Sequence, residues 1–305
     1  MFQAAAPPKS HLGRYRLLAP TAGVKLGEWM EARGVRDEIV LATKYTSPYR
    51  IFNKSEIQAN YVGNNAKSLK VSLEESLKKL KTDYIDLLYV HWWDFGTSIE
   101  EVMTSLNQLV IAGKVLYLGV SDTPAWVVSR ANQYARDHGL RPFSVYQGQW
   151  NAAKRDFERE IIPMAAAEGM GLVPRGAIGG GSFKTAAQRE EIAKSGNPGR
   201  QVEPRDVDIT VSKVLESAPY VTPIVGGRKP EHLLDNIETL ALKLSEDDTK
   251  EIEGAYEFDL GFPMTFLLTG EKQEAHPGNS RFMNSAAKFD YPDLVRPIVP
   301  TRVDE

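Results

Sequence analysis

Residues that can hydrogen-bond or carry charge stand at the ends of six short apolar runs. Lys44 closes the first run, His91 the second, and Ser121 with Asp122 the third. Brought together, a lysine, an imidazole, and hydroxyl and amide groups would form one site at the strand ends. The three later runs end in a further set of such residues, namely Gln147 with Asn151 nearby, Arg175, and Gly226-Gly227-Arg228-Lys229.

His91 lies at the end of an apolar run in the stretch "IDLLYVHWWD" and has two interpretations. A lone histidine at such a place is usually a core residue that pairs with a backbone carbonyl. The alternative is a strand that delivers a catalytic imidazole to its carboxyl end. Because six runs end in polar groups, and a barrel gathers its strand ends at one reactive face, the sequence favours the catalytic interpretation.

Several kinds of chemistry are excluded by the residue types. There is no cysteine, so disulfides, thiol catalysis and thiolate metal sites are excluded. The five histidines, at positions 11, 91, 138, 232 and 276, lack metal-ligand spacing such as H-E-x-x-H. No Ser-His-Asp order is evident either. We therefore expect a site without a metal.

The junction Arg228-Lys229-Pro230 precedes a segment of helical period. Free N–H groups and the dipole at a helix start favour an anion, and two cations strengthen that preference. The alternative is a pair of solvated surface cations. An anion site here, with amide groups at the central strand ends, predicts a phosphorylated cofactor that lies across the strand ends.

Strand-like and helical segments alternate along the chain, which predicts a parallel sheet in an α/β fold. An open doubly wound sheet would carry G-x-G-x-x-G after an early strand, and "GAIGGGSF" (176 to 183) has the glycines without that spacing. A (β/α)8 TIM-barrel type is therefore favoured, although only six strands are recognisable. The predicted strands are 38–45, 84–92, 115–122, 143–150, 171–178 and 220–227.

Composition is that of an ordinary globular protein, with 42% hydrophobic and 25% charged residues in 305. The net charge of -3 gives no reason to expect nucleic acid or an anionic membrane as partner. No apolar run reaches the roughly 18 residues of a membrane span, and the N-terminus has no apolar leader segment. We expect a cytoplasmic protein with one domain over 1–305, in which 1–24 is irregular, 179–207 is a surface insertion and 257–305 is an irregular cap.

Five stretches of the chain resemble the aldo-keto reductase superfamily. They are "IVLATKY", "DLLYVHWWD", "GKVLYLGVSDTPAWVV", "VYQGQWN" and "PIVGGRKPEHLLDNIE". Within the superfamily they are most similar to the fungal aryl-alcohol dehydrogenase and norsolorinic acid reductase branch, over about residues 27–260. This resemblance implies a (β/α)8 barrel, NADPH as cofactor, and hydride transfer between the cofactor and an aldehyde, ketone or alcohol.

The family's site residues can be carried over by motif. Lys44 of "ATKY" and His91 of "YVHWWD" match its catalytic lysine and histidine. In the family a tyrosine protonates the carbonyl oxygen, the lysine lowers the pKa of that tyrosine, an aspartate pairs with the lysine, and the histidine orients and polarises the carbonyl. Trp92 and Trp93 are candidates for substrate contact. The positions that match NADPH-binding residues are Ser121, Asp122 and Gln147 at the nicotinamide, Arg175, Gly176 and Gly179 at the pyrophosphate, and Gly226, Gly227, Arg228, His232 and Asn236 at the adenosine 2′-phosphate and adenine.

The chain departs from the family pattern upstream of "LGEWM". The family's aspartate and tyrosine belong to a "DTAxxY"-type motif on the second barrel strand, whereas here "APTAGV" (19 to 24) runs directly into "KLGEWMEARG" (25 to 34). A second contraction lies between 211–217 and 219–227. An incomplete barrel is therefore expected, and loss of the acid should leave little reductase activity, because general acid catalysis contributes about 10² to 10⁴ in rate.

Two functions from different classes follow. The first is an NADPH-dependent reductase of an aryl or polyketide-type carbonyl compound, in fungal secondary metabolism or aryl-alcohol metabolism. The second is a catalytically impaired relative that binds a nucleotide or a partner without turnover. Missing strands would also leave sheet edges unpaired. We expect either that 13–24 covers the gap as a surrogate strand or that two chains pair as a homodimer.

Overall fold

The chain divides into two compact units, Met1–Tyr146 and Gln147–Glu305. The prediction of one domain over 1–305 therefore stays a prediction. The computed structural model describes residues 2–3, 19–51, 53, 55, 57–177, 218–226, 233–234, 237, 245–254, 256–268, 276–287 and 290–292.

The first unit alternates strands and helices. Its strands are β1 (Phe2–Gln3), β2 (Leu41–Tyr45), β3 (Ile85–Val90), β4 (Val115–Ser121) and the beginning of β5 (Phe143–Gln149). Its helices are α1 (Ala19–Arg33), α2 (Ala66–Leu80), α3 (Ile99–Ile111) and α4 (Ala125–Asp137), with short 3-10 turns at Arg36–Glu38 and Gln58–Tyr61.

The second unit contains the end of β5, then α5 (Ile161–Glu168) and β6 (Gly171–Arg175). Single parallel bridges join Leu172 to Val221 and Arg175 to Ile224. The region predicted as a strand at 220–227 is therefore reduced to isolated bridges along β6. The later helices are α6 (Glu246–Gly254), α7 (Met264–Leu267) and α8 (Arg281–Ala286), with 3-10 turns at Asp156–Glu158 and Pro277–Asn279.

In the first unit the strands follow one another in the sheet in chain order, from β1 to β5. The pairs β1–β2, β2–β3 and β3–β4 are parallel. Parallel pairing requires a crossover between consecutive strands, and α2 and α3 supply two of these crossovers. The predicted fold class, an incomplete α/β barrel type, is confirmed.

One face of the sheet packs against helices, and the other carries the candidate site. The Thr43 hydroxyl lies 3.4 Å from that of Ser76 on α2, so odd-numbered positions of β2 face this helix. Alternation along the strand places Lys44 on the opposite face. There Lys44 is in register with Tyr89 on β3, and Tyr89 with Gly119 on β4. A buried cluster on this face consists of Ala42, Leu87 and Tyr89, with Val145 packed against it.

Helix caps explain where the two helices beside the site begin. The Asn65 side chain accepts a hydrogen bond from Ser68 N at the start of α2, and that of Ser98 accepts from Glu101 N at the start of α3. In a reciprocal capping box, the Glu101 side chain would bond back to the Ser98 N–H. Instead, the Glu101 carboxylate accepts from Ala66 N at 3.0 Å, so this side chain links the starts of both helices.

The N-terminal predictions are partly wrong. Residues 19–24 are helical and belong to α1. They are therefore neither part of a surrogate strand nor irregular. Pro20 is compatible with this helix, because backbone N–H groups in the first turn have no acceptor within the helix and proline, which lacks an N–H, therefore removes no hydrogen bond there. The edge of β2 is covered by β1, in which Phe2 pairs with Leu41. The predicted insertion at 179–207 lies outside the described residues.

Candidate active site

His91 follows the last residue of β3 and is held by two neighbouring side chains. Its Nδ1 lies 2.7 Å from the Ser47 hydroxyl oxygen. The Trp92 indole N–H donates to the same oxygen at 3.0 Å. The His91 backbone N–H donates to the Thr46 hydroxyl at 3.4 Å. Ser47 and Thr46 directly follow β2, so the ends of β2 and β3 are joined at the imidazole.

Asn64 is a residue that the sequence did not single out, and it joins the loop between β2 and α2 to the loop after β3. Its buried side-chain amide donates to the Thr46 hydroxyl and to Trp92 O, both at 3.0 Å. Its side-chain oxygen accepts from Asp94 N at 2.8 Å, and its own backbone N–H donates to the Asp94 carboxylate at 2.7 Å. The loop that carries His91 is thereby fixed to the loop after β2.

Asp94 contributes an ionised carboxylate to this network, and that carboxylate accepts several of its hydrogen bonds. Burial of its carboxylate by itself raises the pKa, but four hydrogen bonds outweigh this effect and hold the pKa below its ordinary value of 3.8. The donors are the backbone N–H groups of Asn64, Gly96 and Thr97 and the Thr97 hydroxyl. These bonds favour the charged form of the carboxyl group.

Lys44 and Ser121 occupy the same face of the sheet on either side of β3. The Lys44 ammonium lies 5.5 Å from the centre of the Tyr89 ring. That ring covers Gly119, where an added Cβ would lie 2.5 Å from two ring carbons. Ser121, two residues further along β4, is fully buried, and its hydroxyl has no hydrogen-bond partner among the described residues. A buried hydroxyl of this kind suits a ligand that can hydrogen-bond to it.

Neither nearby tyrosine presents its ring at the surface. Tyr45 is 1% exposed and Tyr89 is 0% exposed. The Tyr45 hydroxyl donates to Asn64 O at 3.3 Å, and its pKa is raised, first by burial and then by the charges of Asp94 and Glu101. Both observations argue against a substitute for the family's tyrosine at these two positions.

The remaining predicted residues of the first unit differ in exposure. Asp122 is exposed and adopts a left-handed conformation with φ 42°. Trp92 is half-buried, whereas Trp93 is buried, with only 7% of its surface exposed. The structure therefore brings Lys44, His91, Trp92 and Ser121 to adjacent strand ends of this unit. Their roles stay predictions.

The second unit holds a separate set of predicted residues. Gln147 is 1% exposed on β5, and Arg175 is the last residue of β6. Gly176 follows with φ 71°, and its carbonyl accepts from the Asn151 side-chain amide at 2.8 Å. Gly226 is exposed. The other predicted cofactor residues, Gly179, Gly227, Arg228, His232 and Asn236, lie outside the described residues.

Comparison with known proteins identifies the family. The model of the aldo/keto reductase family matches residues 24–257, well over half of the chain. The chain belongs to the aldo/keto reductase family. This family consists of oxidoreductases that act on carbonyl and alcohol groups, so the predicted family and enzyme class are confirmed. The predicted branch is confirmed as well, because the similar proteins include norsolorinic acid reductases and fungal aryl-alcohol dehydrogenases.

Three relatives illustrate the extent of the similarity. Norsolorinic acid reductase B of Dothistroma septosporum is 57% identical over 263 residues, which cover 79% of this chain and 67% of that protein. Norsolorinic acid reductase A of Aspergillus parasiticus is 54% identical over 264 residues, covering 80% of this chain and 66% of that protein. An aryl-alcohol dehydrogenase of Pestalotiopsis microspora is 40% identical over 363 residues, covering 95% of this chain and 94% of that protein.

These alignments bear on the contractions inferred from the sequence. The chain spans about two thirds of the length of the norsolorinic acid reductases that it matches. The alignment with the Pestalotiopsis enzyme runs over 363 positions, more than the 305 residues of this chain. That relative therefore has residues at positions where this chain has none.

Proposed function

We propose that this protein is an NADPH-dependent oxidoreductase that reduces an aryl or polyketide-type aldehyde or ketone to the alcohol, in the cytoplasm. The observation that carries the proposal is the placement of Lys44 and His91 at adjacent parallel strand ends in a chain of this family. The names of its relatives, norsolorinic acid reductase and aryl-alcohol dehydrogenase, support an aromatic carbonyl or alcohol as the substrate class.

Bound NADPH would supply the hydride, and the chain offers residues to hold it. The buried Ser121 hydroxyl, which has no partner among the described residues, fits an amide group such as the nicotinamide carboxamide. Asp122 and Gln147 are proposed to assist at that end. Arg228 and its neighbours, by their place in the sequence, are proposed to hold the 2′-phosphate. That phosphate is the feature by which NADPH differs from NADH.

His91 is proposed to act on the carbonyl group of the substrate. A neutral imidazole that donates a hydrogen bond to the carbonyl oxygen stabilises the negative charge that develops there during hydride transfer. Lys44 places a cation on the same face, one strand away. The half-buried Trp92 offers an aromatic surface next to the imidazole, which suits an aromatic substrate.

A second candidate function is nucleotide binding without efficient turnover. Two observations favour it: the sequence has no "DTAxxY"-type motif upstream of "LGEWM", and Tyr45 and Tyr89 are buried. Without a positioned general acid, the rate of carbonyl reduction would fall by about 10² to 10⁴. Binding of the cofactor would be retained, because the residues proposed for binding lie elsewhere in the chain.

The two functions are separated by measuring binding and turnover on one preparation. Titration with NADPH reports binding, and loss of the nicotinamide absorbance with an aromatic aldehyde reports reduction. Binding with turnover supports the reductase, binding alone supports the second function, and failure to bind would contradict both.

Arg228→Ala tests the cofactor assignment. Loss of charge-assisted hydrogen bonds of about 1.5–3 kcal/mol should weaken NADPH binding roughly 10- to 100-fold and leave NADH nearly unchanged. Equal losses for both cofactors would contradict a 2′-phosphate site at this residue.

A further inference from the structure

Among the described residues, the Ser47 hydroxyl makes two hydrogen bonds, one with the His91 imidazole and one with the Trp92 indole. Its oxygen lies 2.7 Å from His91 Nδ1 and 3.0 Å from Trp92 Nε1. Ser47 itself is half-buried at the end of β2. The three side chains thus form a short chain, from indole to hydroxyl to imidazole.

The direction of these two hydrogen bonds follows from which groups can donate. An indole nitrogen only donates, so Trp92 Nε1–H must donate to the Ser47 oxygen. The Ser47 hydroxyl proton is then free to donate to His91 Nδ1, so the Trp92 N–H, the Ser47 hydroxyl and His91 Nδ1 all have partners. In the reverse arrangement Ser47 would accept from both rings, and its own proton would find no acceptor among the described residues.

We infer that Ser47 is a positioning residue that fixes the neutral His91 imidazole in the tautomer with its proton on Nε2. The hydrogen bond made by one ring nitrogen sets which nitrogen carries the proton. With Nδ1 accepting from Ser47, Nε2 is a donor. The opposite tautomer would present a lone pair at Nε2 and could not donate to a carbonyl oxygen.

The consequence for catalysis rests on the proposed function, but the tautomer does not. If His91 polarises a substrate carbonyl, Ser47 determines whether it can do so, although Ser47 itself touches neither substrate nor cofactor. The tautomer can be measured on the protein without any ligand. Failure of this inference is therefore distinguishable from failure of the proposed function.

Nitrogen-15 NMR of the histidine side chains measures the tautomer directly, because protonated and unprotonated ring nitrogens have well-separated shifts. The spectrum is recorded about two units above the ordinary histidine pKa of about 6.5, where the imidazole is expected to be neutral. His91→Gln identifies the signals. The expected result for the unmodified chain is a protonated Nε2 and an unprotonated Nδ1. A proton on Nδ1, or on both nitrogens, would overturn the inference.

Two substitutions of Ser47 test whether its hydroxyl is the cause. Ser47→Ala should lower the ratio of the Nε2–H to the Nδ1–H tautomer about tenfold, equivalent to about 1.4 kcal/mol. Ser47→Thr keeps a hydroxyl and should restore the original ratio. Ser144→Ala is the matched control, since its half-buried hydroxyl donates to Leu118 O, and it should leave the His91 signals unchanged.

The unmodified spectrum and the Ser47→Thr variant keep the test decisive if Ser47→Ala does not fold. An unchanged tautomer ratio in folded Ser47→Ala would show that another group fixes the imidazole and would overturn the role of Ser47. A Ser47→Thr variant that folds but loses the Nε2–H preference would do the same.

Discussion

Replacing Asn64 by alanine should disconnect the loops that surround His91. The buried amide makes three side-chain hydrogen bonds, to Thr46, Trp92 and Asp94, at 2.8 to 3.0 Å. Alanine removes all three and leaves their partners facing a small cavity. The backbone bonds of residue 64 can persist, so the effect belongs to the side chain.

The size of the effect follows from these three bonds. A typical intramolecular hydrogen bond contributes about 0.5–1.5 kcal/mol net, and a buried group left without a partner costs about 1–3 kcal/mol. Water can reach some of the partners, because Trp92 and Asp94 are half-buried. We therefore expect Asn64→Ala to lower the free energy of unfolding by about 2–4 kcal/mol.

Urea denaturation of Asn64→Ala and two control variants measures this loss. Asn53→Ala removes an exposed amide and should change stability by less than about 0.5 kcal/mol. Asn132→Ala removes a buried amide that bonds to Phe143, so it should lower stability while leaving the His91 NMR signals in place. A loss below about 1 kcal/mol for Asn64→Ala, or unchanged His91 signals, would refute the idea that Asn64 holds these loops together.

Three further substitutions test other parts of the site. The pKa of Asp94 is depressed in the folded state, so its stabilising effect is present above its ordinary value of 3.8 and is lost as the pH falls through the lower folded value. The free energy of unfolding should therefore fall less steeply with decreasing pH in Asp94→Asn than in the unmodified protein. An equal fall in both would contradict a depressed pKa of Asp94 in the folded state. Gly119→Ala places a Cβ against the Tyr89 ring and should destabilise the fold by about 1–3 kcal/mol, whereas Gly254→Ala, with open space around it, should be nearly neutral in the same urea titration. His91→Ala should lower turnover without weakening NADPH binding; a lower melting temperature with unchanged turnover would indicate a core histidine instead.

Sequence patterns located the sheet well because burial imposes local regularity. The runs predicted at 84–92 and 143–150 contain β3 and β5; β3 begins one residue later and ends two earlier, and β5 begins at the predicted residue and ends one earlier. Apolar residues at helical spacing likewise mark α2, where Leu69, Leu73 and Leu80 are buried. In each case the signal is the spacing of apolar residues within one element.

Features that depend on distant partners gave no such signal. Asn64 stands in the stretch "VGNNA", whose glycine and asparagines are typical of any loop, yet its partners lie 18 to 30 positions away. The strand β1 is two residues long, too short for alternation to be visible. The start of α1 was hidden by Pro20, which reads as a helix breaker until its place in the first turn is known. Each of these features is decided by tertiary contacts.

Thr46 fixes the backbone of the loop after β2, which matters for engineering of this site. It is a buried β-branched residue with φ 91°, a conformation that costs about 1–3 kcal/mol in most settings. Its carbonyl accepts from Gly63 N, and its hydroxyl accepts from Asn64 and His91. The path of the chain into Ser47 is therefore already set in the folded protein, and the entropy of ordering this loop is not lost again when a ligand binds. Redesign of ligand choice at this edge should accordingly vary side-chain volume on a fixed backbone and leave the course of the loop unchanged.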